Sequence, residues 1–370
     1  MSEAKETYRI MISGGGTGGH IYPAIAIAHA WTARYPESEV LFVGAEGKME
    51  MQKVPEAGYT IEGLPVAGLQ RRLTLQNLSF PFKLWDSINK AKKLIKRFKP
   101  HAVVGVGGYA SGPLLFVAQQ QGIPTLIQEQ NSFAGLTNKL LAKKAQAFCV
   151  AYAGMEKFFP ADRIHFTGNP VRKDILELAS KKEEAWSHFG LSKDRPVILV
   201  LGGSLGARTI NDAVVASMEH MVAQGYQVLW QTGKFYFEEM TAKLATAKLS
   251  HVHAMAFIRE MDLAYAAADL VISRAGALSV SELSLVGKPV IFIPSPNVAE
   301  DHQMKNALAC VEQHAAVLLR DDEAVAGLAA QVDELMSDPE QMDRLGENIK
   351  KMGKPDAALE IVKQLETLIK

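Results

Sequence analysis

The chain has 370 residues, which is long for a single domain and favours two α/β domains. Apolar residues make up 48% and charged residues 22% of the sequence, a balance that excludes a disordered or fibrous protein. The formal net charge is zero, which excludes a whole-molecule field that recruits nucleic acid. Any attraction to a membrane must therefore come from a local patch.

The cellular compartment follows from the cysteines and from the apolar segments. Cys149 and Cys310 stand in apolar surroundings without metal-ligand spacing, which predicts buried free thiols in a reducing compartment. The first residues contain no apolar stretch of signal-peptide length. Glycines and prolines interrupt the uncharged segment from Ala102 to Gln128, which argues against a membrane-spanning helix. The sequence therefore predicts a cytosolic protein.

The first half of the chain alternates short apolar strands with helices. A helix is predicted at Ile21–Arg34, directly after the glycine-rich turn GGGTGGH at Gly14–His20. The predicted strands are Tyr8–Ser13, Val40–Val43, Ala102–Val106, Pro124–Gln128 and Ala147–Val150. Such alternation implies a parallel sheet with right-handed crossovers.

The second half repeats this pattern. A helix at Thr209–Ala223 is predicted after the turn GGSLGAR. The predicted strands are Val197–Leu201, Gln227–Gln231, Val252–Ala256, Asp269–Ser273 and Pro289–Ile293. The segment GNPVRKD interrupts the pattern, so the predicted domains are 1–170 and 171–354. An amphipathic helix is predicted over 355–370, and the sequence leaves its docking open.

The turn GGGTGGH has three interpretations. Gly14, Gly16 and Gly19 fit the dinucleotide pattern G-x-G-x-x-G, but an acid is then expected at the end of the second strand, and Glu46 comes late. The other two interpretations are a tight structural turn and another phosphate or sugar site at a helix N-terminus. His20 follows the glycines and is a candidate general base, with a backbone-bonded helix-start histidine as the alternative.

Two more motifs follow strands in the first half. GVGGYASGP at Gly105–Pro113 is a second glycine turn, which either builds a pocket floor or simply closes a loop. EQNSFAG at Glu129–Gly135 places polar side chains at a strand end, where ligands of parallel sheets bind. Helix capping by Asn131 or Ser132 is the competing interpretation.

Motifs in the second half indicate an anion site. GGSLGAR carries Ser204, which can cap a helix or bind a phosphate. SRAGALSVSEL leaves N–H groups at Ala277 and Leu278 for a diphosphate, and Glu282 farther along can accept ribose hydroxyls or be a solvated surface charge. Gln303, in DHQMKNA, is a candidate sugar ligand or an inert glutamine.

A basic segment runs from Leu69 to Pro100, with nine Lys or Arg residues against Asp86 as its acid. Aromatic side chains such as Phe80, Phe82 and Trp85 lie between the cations. This composition suits the surface of an anionic bilayer. A crossover helix with a solvated basic face is the alternative.

Together these motifs resemble one family. GGTGGH, GGYASGP, EQNSFAG, GNPVR, GGSLGAR, FIREM and SRAGALSVSE occur in the order and approximate spacing of MurG, the bacterial transferase family that converts lipid I to lipid II in peptidoglycan synthesis. The resemblance extends from Gly14 to about Ala307 and its combination of motifs is highly specific. It implies the α/β GT-B fold: two facing Rossmann-like domains with parallel sheets and an inter-domain cleft.

The resemblance also implies a role for individual residues. His20 is the implied catalytic residue, Ile258 reads uracil through its backbone, Glu282 holds the ribose and Gln303 contacts N-acetylglucosamine. The residues implied to bind UDP-N-acetylglucosamine are Thr17, Gly18, Gly19, Asn131, Arg172, Ser204, Ile258, Ala277, Leu278, Ser279, Val280, Ser281, Glu282 and Gln303. Those implied to bind the acceptor or its pyrophosphate are Gly15, Gly16, Gly107, Gly108, Tyr109, Ser111 and Glu129. The chain departs from the family pattern at Leu205 and Met304, which leaves fewer polar contacts there.

The implied activity is an inverting transfer of N-acetylglucosamine from UDP to the 4-hydroxyl of the N-acetylmuramoyl unit of lipid I, without a metal or other cofactor. The 171–354 domain is then expected to bind the donor. The 1–170 domain is expected to bind the acceptor and, through Leu69–Pro100, an anionic membrane at the cytoplasmic face of the inner membrane. The resemblance further implies association with cell-wall and division machinery. The alternatives are a UDP-N-acetylglucosamine 2-epimerase, a nicotinamide dehydrogenase and a non-catalytic membrane adaptor.

Overall fold

The computed structural model of the chain describes residues 7–66, 80–171, 174–203, 205–298 and 301–370. The chain divides into two compact units, the first made of Met1–Val171 and Asp356–Lys370 and the second of Arg172–Pro355. Each unit is built around one parallel sheet with helices between its strands. The predicted α/β class with two Rossmann-like sheets is therefore confirmed.

The first unit contains a seven-stranded sheet in the order β3-β2-β1-β4-β5-β6-β7. Its strands are β1 (Arg9–Gly14), β2 (Glu39–Ala45), β3 (Thr60–Leu64), β4 (Ala102–Gly107), β5 (Thr125–Glu129), β6 (Ala147–Val150) and β7 (Ile164–Phe166). In register, Ile10 of β1 pairs with Val40 on one side and with Ala102 on the other. The strand order reverses at β1, so the switch point lies between β1 and β4.

The second unit contains a six-stranded sheet in the order β10-β9-β8-β11-β12-β13. Its strands are β8 (Val197–Leu201), β9 (Gln227–Gln231), β10 (Val252–Met255), β11 (Leu270–Ser273), β12 (Val290–Phe292) and β13 (Val317–Leu318). Here the switch point lies between β8 and β11. Every residue of β8 is buried, as the uninterrupted apolar run VILVL predicts for a strand covered on both faces.

Helices connect the strands in both units. Those of the first unit are α1 (Gly18–Arg34), α2 (Glu50–Glu56), α3 (Phe80–Phe98), α4 (Ser111–Gln120), α5 (Leu136–Leu141) and α14 (Ala357–Ile369). Those of the second unit are α6 (Lys182–Phe189), α7 (Arg208–Ala223), α8 (Phe237–Ala247), α9 (Met261–Ala267), α10 (Ala277–Val286), α11 (His302–Val311), α12 (Ala324–Met336) and α13 (Pro339–Lys351). No helix in the described ranges is long and apolar enough to cross a membrane.

The predicted strands are all present, within one or two residues at each end. Three short strands were not predicted: β3, β7 and β13. The prediction that the first helix begins at Ile21 was wrong, because α1 already begins at Gly18 and takes the second half of the glycine turn into its first turn. Glycine's poor helix propensity hides such a start from a pattern of apolar spacing.

The amphipathic helix α14 packs on α1, although the whole second unit separates them in the chain. Ile361, Val362 and Leu365 are buried in one apolar cluster with Trp31 of α1. This cluster covers one face of the first sheet, and a second cluster that includes residues of α3, α4 and α5 covers the other. Both faces of the sheet are thus covered by packed apolar side chains, and the loops that can contact a ligand lie at the carboxyl ends of its strands.

Candidate active site

In the first unit, glycine turns follow both strands that flank the switch point. In open α/β sheets, ligands bind in the crevice at the carboxyl ends of the strands at this point. The N–H of Gly15 donates to the carbonyl oxygen of Gly107 at 3.3 Å. A Cβ atom at position 108 would lie only 2.4 Å from the carbonyl oxygen of Gly15. The two predicted turns therefore pack backbone against backbone, which requires glycine.

His20 lies in the first turn of α1 and is half-buried. Its Nδ1 is 3.1 Å from the carbonyl oxygen of Gly15 and 3.3 Å from the hydroxyl oxygen of Thr17. Because a carbonyl oxygen only accepts, the contact with Gly15 places the imidazole hydrogen on Nδ1 and the basic lone pair on Nε2. The other side of the ring faces Gly107, where a Cβ atom would lie 2.8 Å from Nε2. The histidine is thus backbone-bonded, and its contact with Gly15 favours the tautomer that a general base acting through Nε2 needs.

The helix start beside His20 is built from the remaining residues of the motif. Thr17 is the N-cap of α1 in an extended conformation, and its carbonyl oxygen accepts the N–H groups of His20 and Ile21 at 3.1 and 3.2 Å. Gly18 and Gly19 are the first two helical residues. The structure therefore places Thr17, Gly18 and Gly19 at a helix N-terminus, where backbone N–H groups favour anions.

A buried carboxylate that the sequence did not single out lies behind the turn. Glu50, at the start of α2, is 1% exposed. One of its oxygens accepts the N–H of Gly16 at 2.9 Å and the other accepts the N–H of Ala45 at 3.0 Å. Glu46, which sequence reasoning considered instead, is half exposed and pairs with Lys90 at 2.8 Å. The acid that contacts the glycine turn is therefore Glu50.

Glu129, at the end of β5, organises the loop that follows it. The side chain is 2% exposed, and its oxygens accept N–H groups of Asn131 at 3.1 Å and Gly135 at 3.0 Å and the amide of Asn138 at 2.8 Å. The side-chain amide of Asn131 lies 3.4 Å from the same carboxylate. Asn131, predicted to bind the donor, is therefore held in place by Glu129, predicted to bind the acceptor.

A buried amide network ties this loop to the second glycine turn. The side-chain amide of Gln130 donates to the carbonyl oxygen of Val106 at 2.7 Å. Gln128 donates to the side chain of Asn169 at 2.8 Å, and Asn169 in turn donates to the carbonyl oxygen of Gln130 at 3.0 Å. Hydrogen bonds thus join the motifs GVGGYASGP, EQNSFAG and GNPVR, which are far apart in sequence, at the carboxyl ends of the strands of the first unit.

The remaining predicted acceptor residues differ in accessibility. Tyr109 is exposed in the turn after β4. Ser111 is fully buried, and its hydroxyl lies 2.9 Å from the carbonyl oxygen of Ser13 and 2.8 Å from that of Gly107. In this structure Ser111 joins β1 to the start of α4, whereas Tyr109 presents its side chain to solvent.

In the second unit, the turn after β8 packs against the turn after β9. A Cβ atom on Gly206 would lie 2.2 Å from the carbonyl oxygen of Thr232, and one on Gly233 would lie 2.3 Å from Gly206 itself. Both glycines have positive φ angles, 84° and 82°. Leu205, the departure from the family pattern, is exposed at this turn. The backbone of the turn thus approaches its neighbour as closely as two glycines permit.

An ion pair missed by sequence reasoning joins the elements around the switch point. Arg274, just after β11, pairs with Asp321, and both side chains are largely buried. Arg274 also donates to the carbonyl oxygen of Ile293 at 2.8 Å, and the hydroxyl of Thr209 donates to Asp321 at 2.9 Å. The ion pair therefore fixes the start of α7 relative to the end of β11.

The predicted donor run occupies the first turns of α10, which begins after the N-cap Gly276. Ala277 and Val280 are buried, whereas Leu278, Ser279 and Ser281 are half-buried. The hydroxyl of Ser281 donates to the carbonyl oxygen of Ala277 at 2.9 Å. The feature of the run that suits an anion is thus the N-terminus of α10 rather than all of these side chains.

Three predicted donor residues already have protein partners. The half-buried carboxylate of Glu282 accepts the hydroxyl of Tyr265 at 3.1 Å. The side-chain oxygen of Gln303 accepts the N–H of Ser295 at 2.9 Å. The N–H of Ile258 donates to the side chain of Gln231 at 2.9 Å. Each of these contacts fixes a group that the resemblance assigns to the donor.

Two predicted donor residues, Arg172 and Ser204, lie outside the described residues. So does part of the basic segment, from Leu69 to Ser79. In the first unit, the structure brings the glycine turns, His20 and the Glu129 loop to the carboxyl ends of the strands. In the second unit, it brings Ile258, the Ala277–Glu282 run and the turn after β8 to one edge.

Comparison with known proteins agrees with this architecture. Residues 10–150 match the glycosyltransferase family 28 N-terminal domain, and residues 197–361 match the family 28 C-terminal domain. A protein of Parabacteroides distasonis is 54% identical, with 98% of each chain covered, and one of Cytophaga hutchinsonii is 55% identical over 99% of this chain and 98% of its own. Both are named UDP-N-acetylglucosamine--N-acetylmuramyl-(pentapeptide) pyrophosphoryl-undecaprenol N-acetylglucosamine transferase.

Solved structures give the same result. MurG of Acinetobacter baumannii superposes with a TM-score of 0.79 at 27% identity, over 98% of this chain and all of that one. UDP-GlcNAc 2-epimerase of Neisseria meningitidis has a TM-score of 0.68 at 15% identity, which shows a shared fold. Two Rossmann-like domains, both of which match glycosyltransferase family 28, place the chain among the glycosyltransferases of the GT-B class. Within that class, the chain belongs to the MurG family.

Proposed function

We propose that this chain transfers N-acetylglucosamine from UDP-N-acetylglucosamine to the 4-hydroxyl of the N-acetylmuramoyl unit of an undecaprenyl-pyrophosphoryl acceptor, lipid I. The single observation that carries the proposal is the 54–55% identity, over almost the whole chain, to relatives whose names state this transfer. The product is the β-1,4-linked disaccharide lipid, lipid II.

The donor is proposed to bind to the second unit. The N-terminus of α10 and the glycine turn after β8 flank the same switch point, so both can contact a diphosphate. Glu282, fixed by Tyr265, accepts the ribose hydroxyls, and Gln303, fixed by Ser295, contacts the sugar. Arg172 and Ser204 are proposed to complete this site.

The acceptor is proposed to bind to the first unit. His20 takes the proton of the acceptor 4-hydroxyl on Nε2 while the oxygen attacks the anomeric carbon and UDP leaves from the opposite side. This displacement inverts the anomeric configuration from α to β. Charge develops on the departing diphosphate, where the dipole of α10 stabilises it.

The acceptor's long polyprenyl tail stays in a bilayer, and α3 is proposed as part of the surface that meets it. Phe82 and Trp85 are 75% and 65% exposed, and Lys92, Lys93 and Lys96 are exposed on the same face of the helix. Two neighbouring cations, Lys90 and Arg97, instead form ion pairs with Glu46 and Glu62. Phe80 is half-buried, so shallow insertion into the bilayer is proposed for Phe82 and Trp85 alone among these three aromatic residues.

Another helix of the same layer also carries exposed apolar residues. Leu136 and Leu140 of α5 are 64% and 74% exposed. The helices α3 and α4 are in contact, as are α4 and α5, so all three belong to one layer of the first unit. Exposed apolar side chains together with exposed lysines in this layer support docking of the first unit on anionic lipid at the cytoplasmic face of the membrane.

The activity is tested by incubating the protein with UDP-[¹⁴C]N-acetylglucosamine and a lipid I analogue. Labelled lipid and an equal amount of free UDP are expected, and turnover is expected to continue in EDTA. Formation of UDP-N-acetylmannosamine without lipid would instead indicate a 2-epimerase. Vesicle binding without either product would indicate a membrane adaptor.

A further inference from the structure

The orientation of one peptide bond connects Glu50 to His20. The peptide between Gly15 and Gly16 carries both groups concerned, since its carbonyl oxygen belongs to Gly15 and its N–H to Gly16. The carbonyl oxygen lies 3.1 Å from His20 Nδ1, and the N–H donates to Glu50 Oε2 at 2.9 Å. A buried carboxylate and the imidazole thus hold the two ends of the same peptide plane.

The local sequence makes room for this carboxylate. A Cβ atom on Gly15 would lie 2.2 Å from Glu50 Oε1, and one on Gly44 would lie 2.5 Å from its Cγ. The second carboxylate oxygen is fixed by the N–H of Ala45. Both oxygens of Glu50 therefore accept backbone N–H groups, as an ionised carboxylate does. Glycine is therefore needed at positions 15 and 44 so that the Glu50 side chain fits behind the turn.

The peptide needs such a restraint because it lies between two glycines. Gly16 adopts a φ of 85°, and the central peptide of a glycine turn can rotate into the opposite orientation with little steric resistance. That rotation would aim the N–H, instead of the carbonyl, at His20 Nδ1. The imidazole would then carry its hydrogen on Nε2, and Nε2 would have no lone pair with which to take a proton.

We propose that Glu50 is a positioning residue that locks the Gly15–Gly16 peptide, so that its carbonyl keeps the base lone pair of His20 on Nε2. This inference rests on the proposed function for its catalytic meaning, because His20 is the base of the proposed transfer. The carboxylate also polarises the peptide, which strengthens the carbonyl as an acceptor and stabilises the imidazolium after proton transfer.

The experiment measures the tautomer of His20 directly. Long-range ¹H–¹⁵N correlation on protein labelled at histidine, with the His20 signal assigned by its loss in His20→Ala, reports which nitrogen carries hydrogen at alkaline pH. Wild-type protein is expected to show the Nδ1–H tautomer. An Nε2–H tautomer in the wild type would overturn the proposal without any variant.

Two variants test the lock from opposite sides. Glu50→Gln removes the carboxylate, and Gly16→Ala penalises the positive φ angle at a position where a Cβ atom meets nothing within 4 Å. Both are expected to move His20 toward the Nε2–H tautomer. Both should lower kcat by at least about 10-fold, short of the roughly 10²–10⁴-fold loss of a missing general base, with UDP affinity unchanged.

The matched control is Gly122→Ala, which places the same substitution at an exposed glycine with a φ of 71° and nothing within 4 Å. It should leave both tautomer and kcat as in the wild type. If Glu50→Gln does not fold, Gly16→Ala carries the test. Folded variants that retain the Nδ1–H tautomer would refute the lock. A wild type with the expected tautomer but no transferase activity would refute the proposed function and leave the lock standing.

Discussion

The side-chain oxygen of Gln231 accepts the backbone N–H of Ile258 at 2.9 Å, so the N–H of the residue predicted to read uracil is already paired within the protein. The amide nitrogen of the same side chain donates to the carbonyl oxygen of Gly203 at 3.1 Å. Gln231 therefore links the loop after β10 to the glycine turn after β8. A backbone contact from Ile258 to the N3–H of uracil then falls to its carbonyl oxygen.

Gln231→Ala should weaken UDP binding by about 1–3 kcal/mol, because two hydrogen bonds that position donor loops are lost. Isothermal titration calorimetry with UDP measures this change. Gln331→Ala is the control, since that half-buried glutamine of α12 bonds only its helix neighbour Glu334 among the contacts described. Equal affinities for wild type and Gln231→Ala would remove Gln231 from the donor site.

Glu282→Ala should weaken UDP binding by about 1–3 kcal/mol, because the ribose hydroxyls lose a charged acceptor. Tyr265→Phe, which removes the hydroxyl that orients this carboxylate at 3.1 Å, should cost less, about 0.5–1.5 kcal/mol. Titration with 2′-deoxy-UDP sharpens the test, since Glu282→Ala should no longer distinguish it from UDP. A variant that still prefers UDP as strongly as the wild type would place the ribose elsewhere.

His20→Ala should lower kcat by about 10²–10⁴-fold while UDP affinity stays unchanged, because the general base is lost and the proposed donor residues of the second unit are not touched. His29→Ala is a control from the same helix, exposed and bonded to Tyr59 at 3.0 Å. It should retain wild-type turnover. Near-normal kcat in His20→Ala would assign this histidine to the structure of the turn alone.

Replacing Lys92, Lys93 and Lys96 by glutamate should release the protein from anionic vesicles, because each favourably placed cation contributes about 1 kcal/mol. Arg97 is left in place, since it pairs with Glu62 and its reversal would disturb the fold. The control reverses Lys234, Lys248 and Lys351, three exposed lysines of the second unit, and should bind vesicles as the wild type does.

High salt separates the apolar contribution to vesicle binding from the electrostatic one. Trp85→Ala should reduce the vesicle binding that persists at high ionic strength, because salt screens charges but not apolar contacts. Turnover of a short-chain soluble acceptor should be normal in both surface variants. Co-sedimentation of the triple-lysine variant at the wild-type level would show that another face meets the membrane.

Neither cysteine should react with Ellman's reagent in the folded protein. Burial raises the pKa of Cys310 to about 12 and that of Cys149 further, so both remain thiols near neutral pH. Two equivalents should react after unfolding in guanidinium chloride. A fast equivalent in the native protein would mean that one of these buried sites opens readily.

Sequence patterns predicted the parts of the site that local chemistry decides. The glycines after β1, β4 and β8 are visible because close backbone approach admits no other residue. Apolar runs such as Val197–Leu201 likewise suffice to predict a strand without knowledge of its neighbours in the fold. The start of α1 at Gly18, before the predicted Ile21, was missed because glycine weakens the helical signal that apolar spacing gives.

The residues that support the site could not be predicted in this way. Glu50 looks like one of many charges at a helix start, and only the fold brings it behind the glycine turn, where it contacts Gly16 across 34 residues of chain. Asp321 meets Arg274 across 47 residues in the same manner. One signal was available for Glu50: Gly44 near the end of β2 is a glycine without a turn, which indicates that something else needs its space.

The docking of α14 on α1 has a consequence for synthesis of the chain. A ribosome adds roughly 5–20 residues per second, so α14 emerges roughly 10–40 s after the first unit's main stretch, with the entire second unit made in between. During that interval the second unit can fold to completion, whereas Trp31 lacks the cover that Ile361, Val362 and Leu365 later provide. The first unit is therefore synthesised mostly before the second unit but completes its fold after it. Until α14 docks, its uncovered apolar face would be expected to bind a chaperone.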